Sequence, residues 1–204
     1  MATDLPAAAD SETDPATDAA TDPAATDAPV PWLDETEQHA WRSFIAGSRR
    51  LLERLDQDLK ARGLTHDDYG VLVSLSESDD GRMRMAELAL RSVESRSRLS
   101  HHIGRLESRG LVVRESCPND GRGLLAVLTP KGRQLIEATA PHHVSGVRTW
   151  FIDRVTPEEL AVIGTAFAKV DRAILQGDPV LAEACAEADA DAALDAVAEA
   201  ERLA

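Results

Sequence analysis

The sequence predicts a mainly α-helical fold with one small β wing, an α+β chain, and three observations carry that expectation. Apolar residues recur at three- and four-residue spacing in successive segments, the period of an amphipathic helix. One segment, Leu111 to Thr129, instead pairs two apolar runs across a tip rich in Gly, Asn and Asp, which is hairpin chemistry. Positive charge is also concentrated: Arg82 to Arg133 holds eleven Arg and Lys against five Asp and Glu, a local +6 within a chain of net charge −14.

Taken in order, residues 1–34 carry eight acids and no base, with Thr-Asp-Pro-Ala units recurring from Thr13 to Pro29. So few large apolar side chains cannot offset the entropy of ordering, and a disordered acidic tail is expected. From Glu35 to Arg62 the residues Trp41, Phe44, Ile45, Leu51, Leu52, Leu55 and Leu59 mark a helix that Gly63 ends. Thr65 with Asp68 resembles a capping box and opens a second helix to about Glu77. Ser78-Asp79-Asp80-Gly81 is turn chemistry. A short helix is expected from about Ala86 to Arg91, then a turn Arg91-Ser92-Val93-Glu94, then a helix from Ser95 to about Ser108 stopped by Gly110.

The hairpin arms are expected at 111–114 and 124–128, with 118–123 as the tip. Thr129-Pro130 opens a long helix. Its apolar positions run through Val144, Val147, Phe151, Ile152 and Val155, with a bend near Pro141. Thr156-Pro157-Glu158-Glu159 starts another, carrying Leu160, Ile163, Phe167, Val170 and Ile174. Residues 178–204 carry eight acids and one base and read as a frayed Ala-rich tail. The two tails together hold −15, so residues 35–177 come to +1.

No apolar run approaches the roughly 20 residues of a membrane span, and no basic-then-apolar leader is visible, so a cytoplasmic protein with no membrane partner is expected. Cys117 and Cys185 form neither a disulfide framework nor a zinc knuckle. No phosphate loop, nucleophile elbow, zinc-protease motif or dinucleotide fingerprint is present, so no enzyme and no cofactor is expected.

On a helical wheel Leu99, Ile103 and Leu106 share one side, facing the domain. Ser97, His101, Gly104 and Ser108 lie opposite, flanked by Arg98 and Arg105. His102 falls nearer the buried side and is expected to pack. A helix–turn–helix with such a face, followed by a hairpin, is the outline of a winged helix-turn-helix lobe for double-stranded DNA. The candidate DNA-contacting residues are Arg96, Ser97, Arg98, Ser100, His101 and Arg105 on the helix, with Arg122 at the hairpin tip. Arg122 is placed to reach a flanking minor groove, and Asp120, two residues before it, to hold its guanidinium.

Met85-Ala86-Glu87-Leu88-Ala89, the run Ser95 to Gly110 ending Arg105-Leu106-Glu107-Ser108-Arg109-Gly110-Leu111-Val112, Asp120-Gly121-Arg122 and Leu128-Thr129-Pro130-Lys131-Gly132 form a linked set. It resembles the MarR family of bacterial transcription regulators over about Glu35 to Ile174. The resemblance implies a homodimer knitted by the helices at 35–62 and 130–177, with 82–133 as the DNA-binding lobe on a pseudo-palindromic operator. It also implies a repressor released by a small aromatic or lipophilic effector, with Trp41, Arg42, Tyr69 and Trp150 as candidate lining residues. Ala86 replaces a frequent capping Ser, His101 a frequent Arg, and His102 a usual aliphatic residue. The alternatives are an oxidant-responsive regulator acting through Cys117, a metal-responsive one through His142 and His143, or an acidic-tailed protein-interaction module. Adjacent histidines diverge on a helix and lack the i, i+4 spacing of a helical metal pair, and Cys117 stands beside Glu115 rather than in an electropositive pocket.

Overall fold

The computed structural model describes residues 30–78, 80–117, 120–182, 184–186 and 193, with the backbone alone at 120–122. The acidic segment up to residue 29, and most of the C-terminal tail, lie outside the described residues. The described residues fall into two units, one up to Ala40 and one from Trp41 onward. In the first, Asp34 and Glu37 exchange backbone-to-carboxylate hydrogen bonds at 2.9 and 2.8 Å, a capping box that starts α1 (Glu35–Lys60).

In the second unit α1 ends where Gly63, at φ +77°, lets Leu64 N–H donate back to the Leu59 carbonyl. The Thr65–Asp68 capping box forms and opens α2 (His66–Glu77). Gly81, at φ +70°, turns the chain into β1 (Arg82–Arg84), which leads directly into α3 (Met85–Arg91) and then α4 (Arg96–Ser108). β2 (Val112–Cys117) and β3 (Asp120–Leu128) form the wing. Thr129 caps α5 (Pro130–Trp150), and a Thr156–Glu159 capping box opens α6 (Pro157–Gly177). Asp178 then caps a helical start at residues 179–182, accepting from Val180 N–H at 2.9 Å.

The sheet is antiparallel in the order β1-β3-β2, with Met83 opposite Ala126 and Val113 opposite Val127. The core is one cluster drawn from the end of α1 through the start of α5, including Leu59, Leu72, Leu88, Leu99, Ile103, Leu106, Val112, Ala126 and Ile136. α6 contributes no buried residue. No helix among the described residues is long and apolar enough to cross a membrane.

Two expectations are corrected, and one strand was not expected. β1 carries no strand signal of its own; it is extended because it pairs with β3 and seals Met83 inward. The hairpin tip is tighter than 118–123, since Cys117 pairs with Asp120 across a register shift after Ser116. The long helix stops at Trp150 rather than running through Phe151, Ile152 and Val155. Phe151 leaves the helical region, residues Ile152–Arg154 make a 3₁₀ turn and Val155 is extended; Thr156, before Pro157, is extended in its turn as the cap of α6. Pro141 sits inside α5, which stays continuous around it.

Candidate nucleic-acid interface

Ser95 starts α4, its hydroxyl accepting from Arg98 N–H at 3.3 Å. Leu99, Ile103 and Leu106 are fully buried, and this seats one side of the helix in the core. Arg96, Ser97, Arg98, Ser100, His101 and Arg105 are all exposed on the rest. The wing is tied to this helix through Arg114, whose N–H donates to Glu107 Oε1 at 3.0 Å and whose guanidinium reaches Glu107 Oε2 and the Ser100 carbonyl. Behind it, Lys131 donates to the Arg109 carbonyl and Thr129 to that of Gly110. The wing and α4 are therefore held as one piece. At Asp120 and Arg122 the backbone is in β3, and the side-chain pairing expected between them lies outside the described residues.

His102, as expected, packs inward, at 2% exposure. Sequence reasoning missed its partners. Its Nε2 lies 2.8 Å from Asp68 Oδ1 and its Nδ1 2.8 Å from Glu94 Oε1. Arg109 Nη1 donates to Asp68 Oδ2 at 2.9 Å. The hydrogen bond with Asp68 holds His102 above the usual histidine range, with burial opposing and Glu94 adding. Burial pushes Asp68 up, but the bonds from His102 and the Thr65 backbone, with Arg109 nearby, outweigh it and bring its carboxyl down to about 2. The sequence marks Asp68 as a capping residue; nothing local marks its second role 34 residues along the chain. Glu94 is brought into place by a turn whose left-handed step falls on Val93, φ +53°, an unfavourable position for a β-branched residue.

Residues 62–123 match the profile of the MarR family. The crystal structure of AbsC, a MarR family transcriptional regulator from Streptomyces coelicolor, superposes with a TM-score of 0.70 at 46% identity, covering 73% of this chain and all of that one. The chain belongs to the MarR family of transcriptional regulators. A second MarR regulator from that organism, Sco3205, solved in complex with DNA, is 44% identical with a TM-score of 0.70, over 74% of this chain and 94% of that one. The transcriptional repressor MprA of Escherichia coli (strain K12) is 30% identical over 95 residues, 46% of this chain. This chain spans about half of MprA's length, 54%.

The four MarR effector-pocket candidates are not brought together. A groove of about 390 Å³ lies between α1 and α5, lined among others by Arg54, Asp58, Arg62, His142, His143 and Trp150. Trp150 lines it, with Arg54 stacked 5.4 Å above its ring. Tyr69 is buried behind it, its ring 4.3 Å from that of His143. Trp41 and Arg42 are not in its lining; Trp41 packs on Phe44, which in turn meets Phe167 of α6. His66 Nδ1 and His143 Nδ1 are buried without a hydrogen-bond partner. Burial and the nearby His66 push His143 below the usual histidine range. Among the described residues no three metal-ligating side chains cluster, and Cys117 is a buried free thiol.

Proposed function

We propose that this chain is a dimeric, sequence-specific DNA-binding repressor that an effector releases from its operator. The observation that carries the reading is the split character of α4: three fully buried aliphatic side chains on one side, and exposed Arg98, His101 and Arg105 on the rest, braced to a wing. The DNA complex of Sco3205 and the repressor role of MprA support it by similarity. In this reading Arg96, Ser97, Arg98, Ser100, His101 and Arg105 meet bases and phosphates in the major groove, while Arg122, oriented by Asp120, meets the minor groove. The second copy covers the apolar side chains that α1, α5 and α6 leave exposed, including Trp41, Val144, Val170 and Ile174. Its two recognition helices then enter major grooves about 10 base pairs apart on a pseudo-palindrome.

The effector in this proposal is a small aromatic or lipophilic molecule carrying a polar group, held in the groove between α1 and α5. Its size suits the groove, Trp150 offers an aromatic face, and Arg54, Arg62 and His142 in the lining offer polar anchors. The protein works in the cytoplasm, on the nucleoid when bound, and residues 1–31 and 178–204 are dispensable for fold and dimer.

Selection of duplexes from random-sequence DNA tests the reading. An enriched pseudo-palindrome is the expected result, and no enrichment over bulk DNA would reject it. On the selected duplex, Arg122→Ala should weaken binding and lower the salt slope by about 1. Arg98→Ala and His101→Ala should change base preference at about 1–3 kcal/mol.

A further inference from the structure

We propose that His102 is a positioning residue for DNA recognition: held as an imidazolium between Asp68 and Glu94, it fixes the seat of α4, so that duplex affinity falls when the ring loses its proton. The inference rests on the reading of α4 as the element that meets DNA.

With both carboxylates ionised, the geometry calls for two protons on the ring. Each ring nitrogen lies 2.8 Å from a carboxylate oxygen. An ionised carboxylate only accepts, so both bonds exist only when both nitrogens donate. A neutral ring donates once and turns a lone pair toward an oxygen on its other side. Water is poorly placed to repair this, since the side chains of His102, Asp68 and Glu94 are 2%, 8% and 9% exposed. The charged groups facing the ring are Asp68 from α2, Glu94 from the turn before α4 and, behind Asp68, Arg109 at the end of α4. With an imidazolium their formal charges cancel. A neutral ring leaves one net negative charge in a buried cluster, a costly arrangement.

The strain of losing that proton falls on one side. Asp68 is also held by Thr65 N–H at 3.2 Å and by Arg109 at 2.9 Å. Glu94 lies in the turn just before Ser95, the cap of α4, and immediately after the left-handed Val93. Repulsion there loosens the turn that aims Arg96, Ser97 and Arg98, the end of the helix that would enter the groove.

The test follows affinity for a duplex selected at pH 6 across pH 6 to 9 at constant ionic strength. It uses full-length protein in a His101→Asn background, which removes the exposed histidine on the same helix. Nitrogen-detected NMR of the His102 ring follows its protonation in the same samples. Affinity is expected to fall roughly tenfold, the worth of one hydrogen bond to a charged group, with the midpoint of the ring's own titration. Adding Glu94→Gln lets a neutral ring satisfy both sides, donating from Nε2 to Asp68 and accepting at Nδ1 from the new amide. The fall should then shrink below twofold and the ring should titrate at lower pH. A ring carrying one proton at pH 6, an affinity that stays flat across its titration, or a fall that survives Glu94→Gln would overturn the proposal. The first two need no Glu94 variant, so misfolding of that variant leaves the answer intact. Duplex recovery failing at every pH would remove the DNA reading and the coupling with it. The ring's two protons, measured without DNA, would then show which of the two had failed.

Discussion

The winged lobe and the C-terminal helix make opposite use of similar apolar stripes. In the lobe the stripes of α2, α3 and α4 close on each other and on the sheet in one buried cluster. In α6 the stripe is just as regular, yet Val170 and Ile174 remain 53% and 55% exposed and nothing is buried. A stripe of this kind is stabilising only when something covers it. The lobe therefore holds its shape from within one chain, whereas the stripe of α6 is left open, the face the proposed second copy would cover.

One substitution made in both regions should break this comparison most sharply. At Gly132, where α5 starts against Leu111 and the end of β3, an added Cβ would lie 2.2 Å from the Leu111 carbonyl oxygen and 2.7 Å from Leu128 Cδ1. Backbone cannot yield cheaply, so Gly132→Ala should cost about 3 kcal/mol in thermal or urea unfolding. At Gly164 in α6 a Cβ meets nothing within 4 Å, so Gly164→Ala should gain up to about 1 kcal/mol. Equal effects at the two sites would show that the lobe is packed no more tightly than α6.

A charge placed on α6 sharpens the other half. Val170→Glu with Ile174→Glu should raise the dimer dissociation constant by roughly a hundredfold, about 2.7 kcal/mol, because the second copy would bury unpaired carboxylates. Sedimentation should show folded monomer. An unchanged dimer would move the interface elsewhere.

The lobe should also carry a pH signature from a buried ion pair, which α6, with no buried residue, does not have. Asp68 falls from an ordinary 3.8 to about 2 in the folded state. Its contribution, about 2 kcal/mol, is fully present above the unfolded value and disappears as pH drops toward 2. His102 is raised above 6.5, so its contribution is complete below 6.5 and disappears as pH rises through the raised value. Lobe stability should therefore peak between about pH 5 and 6.5 and decline on both sides. Asp68→Asn should flatten the acid side in urea titrations; an acid limb that persists in that variant would assign it to other carboxylates.

The same contrast governs what could be read without coordinates. Caps, stops and stripes are local, so the helices and wing were legible from Thr65, Gly63, Thr129-Pro130 and the spacing of Leu99, Ile103 and Leu106. The exposed face of α4 followed from the same spacing. What was hidden depends on distance in sequence. β1 exists through its partner β3, the carboxylates on His102 come from 34 residues and 8 residues away, and the groove needs α1 beside α5. Trp41 and Tyr69 were read as lining residues by type, and the structure places both outside the lining of the groove between α1 and α5.

The smallest effect is expected at Gly104, within α4 on the side carrying His101. An added Cβ there meets only Arg114 Nη2, at 3.9 Å, an ordinary contact. The folded chain thus has no steric need for glycine, which costs the helix up to about 1 kcal/mol relative to alanine. Gly104→Ala should raise the melting temperature by a few degrees, as Gly164→Ala does in α6. The two should part company on DNA. If α4 lies deep in a groove, the new methyl meets the phosphate backbone, and affinity should drop by about tenfold on every duplex alike, since phosphates carry no sequence information. Gly164→Ala should leave affinity where it was. A stabilised Gly104→Ala protein that binds as tightly as before would show that this side of the helix stands clear of DNA, and would shift the contact toward Arg98 and the N-terminal turn.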